Sequence, residues 1–212
     1  MTSETTVTAG APPRKTWVSE ARTQTVALDR AISRAVEETA TPDLDRLLVR
    51  LSDAANGAHL WLATAGVIAL TGGRRGRRAA VDAVVSVGLA SAVSNVAMKT
   101  LASRRRPEED PGRAWPARHV RRPTSPSFPS GHAASAFAFA STMGEEVPLT
   151  WGPLHVTASI VAYARVHTGV HYPSDVVAGA LVGALCGWTV RRVAGRPARH
   201  TRPTGSARVP AA

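Results

Sequence analysis

Residues 79–101 read AAVDAVVSVGLASAVSNVAMKTL, an apolar run broken only by Asp82, Asn95 and Lys99. A helix needs about 20 predominantly apolar residues to cross the hydrocarbon core of a bilayer, and this stretch is long enough. Its apolar positions do not alternate with polar ones, as a half-buried strand would require. The Ala, Gly and Ser that fill it allow close approach of helices in lipid.

More apolar segments flank it: 58–70, closed by Thr71-Gly72-Gly73; 133–143, just after Pro129-Ser130-Gly131-His132; 149–166; and 176–190, closed by Arg191-Arg192. Several fall short of a full span, and flanking semi-polar residues extend them; a soluble all-helical bundle is the alternative. Upstream, Leu28, Ile32 and Val36 share one helical face and Leu44, Leu47, Leu48 and Leu51 another, with Thr41-Pro42 between. Both stretches are amphipathic and too charged to cross, which places them at the interface or against the bundle. The expected fold class is all-α: a multi-pass transmembrane helical bundle with amphipathic N-terminal helices. Residues 1–24 and 195–212, rich in Pro and charge, are expected to be disordered tails around one membrane-embedded domain at 25–194.

A net charge of +11 and a pI near 11.4 point to an anionic partner: nucleic acid, a membrane surface or a phosphorylated substrate. The arginines gather at the ends and in clusters, leaving apolar stretches between, and no nucleic-acid-binding motif is present, so nucleic acid is excluded as a partner. The single cysteine, Cys186, sits in an apolar run, permits no intrachain disulfide and is read as buried. Met1 to Arg22 carries Glu4 and Glu20 and lacks the apolar core of a signal peptide, so the chain's own helices are expected to take it into the bilayer.

Polar groups beside the apolar segments fall in three clusters: Lys99 with Arg106-Pro107; Pro129-Ser130-Gly131-His132; and Arg165, His171 and Asp175. Together they are the parts of a phosphoryl-transfer site that uses neither a metal nor a cofactor. Lys99, Arg106 and Arg165 supply positive charge to the non-bridging oxygens. Pro129 precedes a helix start, so backbone N–H groups near Ser130 and Gly131 point at the same anion. His132 and His171 remain as nucleophile and proton donor, and Asp175 is close enough in sequence to His171 to hold its other ring nitrogen. His167 shares the turn but lacks an aspartate at that distance. Arg104 and Arg105 are read as headgroup anchors, with Arg105 the alternative to Arg106 as phosphate ligand, and Lys99 near a helix end could also simply snorkel.

These clusters resemble the signature of the type 2 phosphatidic acid phosphatase superfamily, which includes vanadium haloperoxidases and bacterial acid phosphatases. The resemblance covers roughly residues 79–190. It implies that His171 attacks phosphorus and becomes a phosphohistidine, that Asp175 orients it, and that His132 protonates the leaving oxygen and then activates water. Lys99, Arg106, Ser130, Gly131 and Arg165 would bind the phosphate, and the partner would be a phosphorylated lipid in the bilayer. The third cluster opens Ala164-Arg165 where the family has Ser-Arg, which predicts weaker support for Arg165. A vanadium haloperoxidase would be a much longer soluble protein; a non-catalytic lipid-binding protein would not need the full set. Arg74, Arg75, Arg77, Arg78 and the Arg191-Arg192 pair fall on one side of the membrane by counting crossings, and the three clusters on the other. The positive-inside rule then turns the clusters to the outer face of the cell membrane.

Overall fold

In the computed structural model, residues 16–39, 41–98, 104–107, 118, 120 and 124–195 are described. Among them every regular element is helical: α1 (Trp17–Glu38), α2 (Pro42–Ala54), α3 (His59–Thr71), α4 (Gly73–Ala92), α5 (Gly131–Glu146), α6 (Trp151–His167) and α7 (Pro173–Val193). A π-helical turn, Val93–Met98, extends α4, and short 3₁₀ turns lead into α3 and α6.

Each apolar segment became a helix, with ends set by local chemistry. Thr16 caps α1, accepting from Ser19 N, so residues 17–24, expected in the disordered tail, are its first turns. Pro42 and Pro173 start α2 and α7, where a missing N–H costs nothing. The arginine run at 74–78, between the first two apolar segments, lies inside the first turns of α4. The tight α3–α4 reversal needs glycine: a Cβ on Gly76 would sit 2.4 Å from the Ile68 carbonyl oxygen.

Helix α5 is the centre, packed on α4, α6 and α7. Its interface with α7 is made of glycines one turn apart: added Cβ atoms would lie 2.4 Å from Ser130 O at Gly179, 2.2 Å from Ala134 O at Gly183 and 2.8 Å from Thr142 Oγ1 at Gly187. This small-residue stripe draws the two backbones together and sets the start of α5 against the start of α7. The interior is built from Ala79, Ala83, Ala136, Ala140 and Ala158 around Trp61, Phe139 and Met143. The large aliphatic residues point the other way. Val81, Val85, Val156, Val177, Leu181 and Leu185 are exposed on the outer faces of α4, α6 and α7, as in a body solvated by lipid tails. Residues 73–96 and 173–193 are long and apolar enough to span a membrane.

α1 and α2 pack on the bundle, one of the two placements expected, but not chiefly through their apolar residues. Leu28 and Leu47 are each 61% exposed, whereas the residues buried against the bundle are Asp29 and Ser33 on α1 and Asp45, Leu48 and Ser52 on α2. Both helices dock mainly through polar side chains.

Candidate active site

The loop between α6 and α7 and the starts of α5 and α7 converge at one end of the bundle. Ser130 N donates to the Asp175 carbonyl at 2.9 Å, joining the second and third sequence clusters. This N–H, expected to face an anion, is therefore engaged. Ser130 itself is fully buried as the N-cap of α5, its hydroxyl accepting from Ala133 N at 3.4 Å. Gly131 is the first helical residue, where a backbone N–H has no partner within the helix. Its missing Cβ makes room for Asn95, whose Oδ1 would be 3.1 Å away.

His171 is buried, at 2% exposure. Its Nε2 lies 3.3 Å from Arg106 Nη1, and that guanidinium is fixed by donating to Val170 O at 2.7 Å and to Ser125 O at 3.1 Å. On the other side of the ring, Nδ1 is 3.6 Å from Asp175 Oδ2, beyond hydrogen-bond length, so the carboxylate acts through its charge in this state. Burial, reinforced by the charges of Arg106 and Arg165, lowers the His171 pKa to about 4 against the opposing pull of Asp175. The imidazole is therefore neutral at neutral pH, its Nε2 lone pair accepting from Arg106.

The structure brings Arg106, Ser130, Gly131, His132, Arg165, His171 and Asp175 to the same end of the bundle; Lys99 lies outside the described residues. Arg165 is 2% exposed and its Nη1 donates to Ser52 Oγ of α2. Support expected to weaken at Ala164 thus comes from another helix. His132 Nε2 is 2.8 Å from Asn56 Oδ1, and the Asn56 amide donates through Nδ2 to Asp53 Oδ1 at 3.3 Å. That orientation leaves Oδ1 facing the ring, which places a hydrogen on His132 Nε2.

Arg104 corrects the sequence reading. It is no headgroup anchor: Nη1 donates to Asp175 Oδ1 at 2.9 Å and Nη2 to Asp29 Oδ2 at 2.7 Å, while the guanidinium lies 4.2 Å over the Tyr172 ring. These carboxylates raise its pKa despite burial. Asp29 also accepts from Ser174 N at 2.9 Å and Ser174 Oγ at 2.5 Å, capping the start of α7 from α1. His167 is structural: Nε2 meets Asp45 Oδ1 at 2.6 Å, which also accepts from Arg118 Nε at 2.9 Å. Sequence reasoning thus missed Asp29, Ser52, Asn56 and the role of Arg104. The one local signal was a polar residue set into an otherwise amphipathic helix.

The model of the PAP2 superfamily matches residues 79–198. The chain is 40% identical over 137 residues to a decaprenylphosphoryl-5-phosphoribose phosphatase of Mycobacterium tuberculosis, covering 64% of this chain and 71% of that one. It is 42% identical over 64 residues to an undecaprenyl-diphosphatase of Sulfolobus acidocaldarius, covering 30% of this chain and 31% of that one. Its fold is similar to that of a transmembrane PAP2-type phosphatidylglycerolphosphate phosphatase from Bacillus subtilis, with a TM-score of 0.63 and 22% identity over 81% of this chain and 87% of that one. Asp29, Ser52 and Asn56 all precede the span that the family model matches.

Proposed function

The chain belongs to the PAP2 superfamily, and from that premise we propose that it is an integral-membrane phosphatase of a polyprenyl-type lipid phosphate or diphosphate, working at the outer face through a phosphohistidine at His171. The observation that carries this reading is the Arg106 guanidinium 3.3 Å from Nε2 of a buried, neutral His171. A cation held on the nucleophile's lone pair marks the place that a phosphoryl group would take. The decaprenylphosphoryl-5-phosphoribose phosphatase and the undecaprenyl-diphosphatase among the relatives support an isoprenoid lipid.

In the first step His171 Nε2 attacks phosphorus in line, and the bond from phosphorus to the leaving oxygen breaks. His132 gives a ring proton to that oxygen, releasing the lipid alcohol or phosphate. Arg106, Arg165 and Lys99 neutralise the equatorial oxygens in place of a metal, with the Gly131 N–H at the head of α5. Asp175 stabilises the positive charge that develops on the ring. In the second step water attacks the phosphohistidine, His132 takes its proton, and inorganic phosphate leaves. Phosphate release by the purified protein from polyprenyl and glycerolipid phosphates tests this. Loss of all turnover in His171→Ala is expected; a fully active His171→Ala overturns the assignment.

The outer-face reading rests on Arg74, Arg75, Arg77 and Arg78, which lie at the end of α4 opposite the π turn that leads to the first cluster. Arg191 adds less than its charge suggests, because it pairs with Glu145 at 3.2 Å. In a Cys186→Ser background, Thr124→Cys should react with an impermeant thiol reagent on intact cells and Arg75→Cys only after lysis. The reverse pattern would put the site in the cytoplasm.

A further inference from the structure

A cleft of about 1100 Å³ opens between α1 and the 104–107 segment, and its lining carries Arg22, Arg30 and Arg34 from α1 and Arg104, Arg105 and Arg106. Glu37 is the acidic residue among the lining side chains. Arg104 is committed to Asp29 and Asp175, and Arg106 to Ser125, Val170 and the His171 ring. Arg22, Arg30, Arg34 and Arg105 are exposed and make no ion pair among the described residues. Six arginines gathered with a single carboxylate, Glu37, in the same lining repel one another, so such a cleft is built at a cost that an anionic ligand would remove.

Its position says which anion. Arg106 belongs to both places: it lines the cleft and stands 3.3 Å from His171 Nε2. Tyr172 and Ser174, which flank the nucleophile's loop, form part of the same wall. A group in the cleft is therefore attached to, or adjacent to, the group being hydrolysed. The α1 arginines also precede the span that the family model matches, so this cleft is an addition to the shared machinery.

We propose that the α1 arginines, with Arg105, form a subsite for a second phosphate on the substrate, the one that is not transferred to His171. The ligand class is a lipid headgroup with two phosphates, either a diphosphate or a phosphomonoester joined through a short linker to a phosphodiester. A single anionic lipid of the surrounding bilayer offers the same charge but would not be tied to the reacting group.

This inference rests on the phosphatase reading, so the experiment contains that reading as its own control. Full-length protein in neutral detergent micelles is assayed on a polyprenyl monophosphate and on the matched diphosphate. The variant is Arg30→Gln/Arg34→Gln. It should lose on the order of tenfold more kcat/KM on the diphosphate than on the monophosphate, mainly through KM, because each exposed contact contributes a few-fold. The wild-type preference for the diphosphate should also shrink as salt rises. Equal losses on both substrates, or none on either, overturn the subsite. A selective loss that appears only in vesicles containing phosphatidylglycerol, and not in neutral micelles, also overturns it and assigns the arginines to the bilayer. Wild-type protein inactive on both substrates would instead remove the phosphatase reading beneath it.

Discussion

Arg104 Nη1 holds Asp175 Oδ1 at 2.9 Å, on the carboxylate oxygen opposite the one that faces His171 Nδ1 at 3.6 Å. The same guanidinium grips Asp29 of α1, so an N-terminal helix reaches the nucleophile through a two-carboxylate bridge. Asp29 and Asp175 are 2% and 0% exposed. Removing the cation between them would leave both buried charges uncompensated.

Arg104→Ala should therefore destabilise the fold by about 3 kcal/mol, the low end for breaking a buried pair because Arg104 is itself 23% exposed. Asp29→Asn is the milder probe. It keeps an acceptor for Ser174 but weakens the pull on Arg104, and should lower kcat roughly tenfold with little change in KM. Thermal unfolding in detergent, set beside steady-state kinetics, separates the two effects. A KM change without a kcat change would show that Asp29 only shapes the substrate cleft.

The buried His171 makes a signed pH prediction. Its folded pKa of about 4 lies below the ordinary histidine value near 6.5. Between those values the unfolded chain binds the proton and the folded one does not, so stability rises with pH across the window. This contribution is fully present above about 6.5 and lost as pH falls toward 4. The nucleophile should also remain unprotonated at pH 5. Nitrogen-15 shifts of His171, assigned by difference from His171→Asn, should show a neutral ring there; titration near 6.5 would contradict the burial argument.

Asp45 gives a second acid-side contribution. Burial pushes its carboxyl up, but hydrogen bonds from His167, Thr41 and Arg118 outweigh burial and hold its pKa below the usual range. Its stabilisation is present above about pH 3.9 and lost as pH falls below that. Asp45→Asn should remove it, undocking α2 and with it Ser52 and Asn56, so that activity and stability fall together. Unchanged proteolytic sensitivity of residues 41–58 in Asp45→Asn would refute that coupling.

The helices and the order of the clusters were legible because each depends on neighbours in sequence: an apolar run, a proline start, a short motif spacing. The docking of α1 and α2 was not. The amphipathic rule sends the apolar face inward when the surroundings are water. Here Leu28 and Leu47 face outward while Asp29 and Asp45 face the bundle, drawn in by Arg104 and Arg118. The partners of Asp29 are also 75 and 145 residues away, a separation no periodicity encodes. The hydroxyl that reaches Arg165 likewise comes from Ser52, 113 residues upstream, while the buried Arg165 Nε meets no hydrogen-bond acceptor among the described residues.

The glycine stripe can be tested by contrast. Gly183→Ala places a methyl where a Cβ would be 2.2 Å from the Ala134 carbonyl oxygen, and backbone cannot yield as a side chain can. The α5–α7 pair must separate, at a cost of about 1–3 kcal/mol. Gly88→Ala in α4 meets nothing within 4 Å and should be tolerated. Because Gly179 and Gly183 set Ser130 beside Asp175, the Gly183 variant should also lose activity before it unfolds. Equal stability of the Gly183 and Gly88 variants would show that the stripe does not govern packing.

The last prediction separates the work of the two histidines and uses Asn56 to do it. If His171 is the nucleophile, His171→Ala should abolish turnover whatever the leaving group. If His132 is the acid, its importance should follow how badly the leaving oxygen needs a proton. A lipid alkoxide needs it; a nitrophenolate hardly does. General acid catalysis contributes on the order of 10²–10⁴-fold, so His132→Ala should slow phosphorylation of the enzyme far more with an alkyl lipid phosphate than with nitrophenyl phosphate. Asn56 Oδ1, 2.8 Å from His132 Nε2, is a positioning group that anchors the ring through that nitrogen. Asn56→Ala should then show the same leaving-group selectivity in smaller measure, and none beyond that of His132→Ala when the two are combined. Asn56→Asp would set a carboxylate against the ring and raise the His132 pKa, moving the basic limb of the pH profile upward. The measurement is single-turnover formation of phosphoenzyme with both substrates. Equal losses on both in His132→Ala would leave His132 merely holding phosphate, and phosphate trapped on His132 would exchange the two roles. Selectivity in His132→Ala but not in Asn56→Ala would strip Asn56 of its part and leave the mechanism standing.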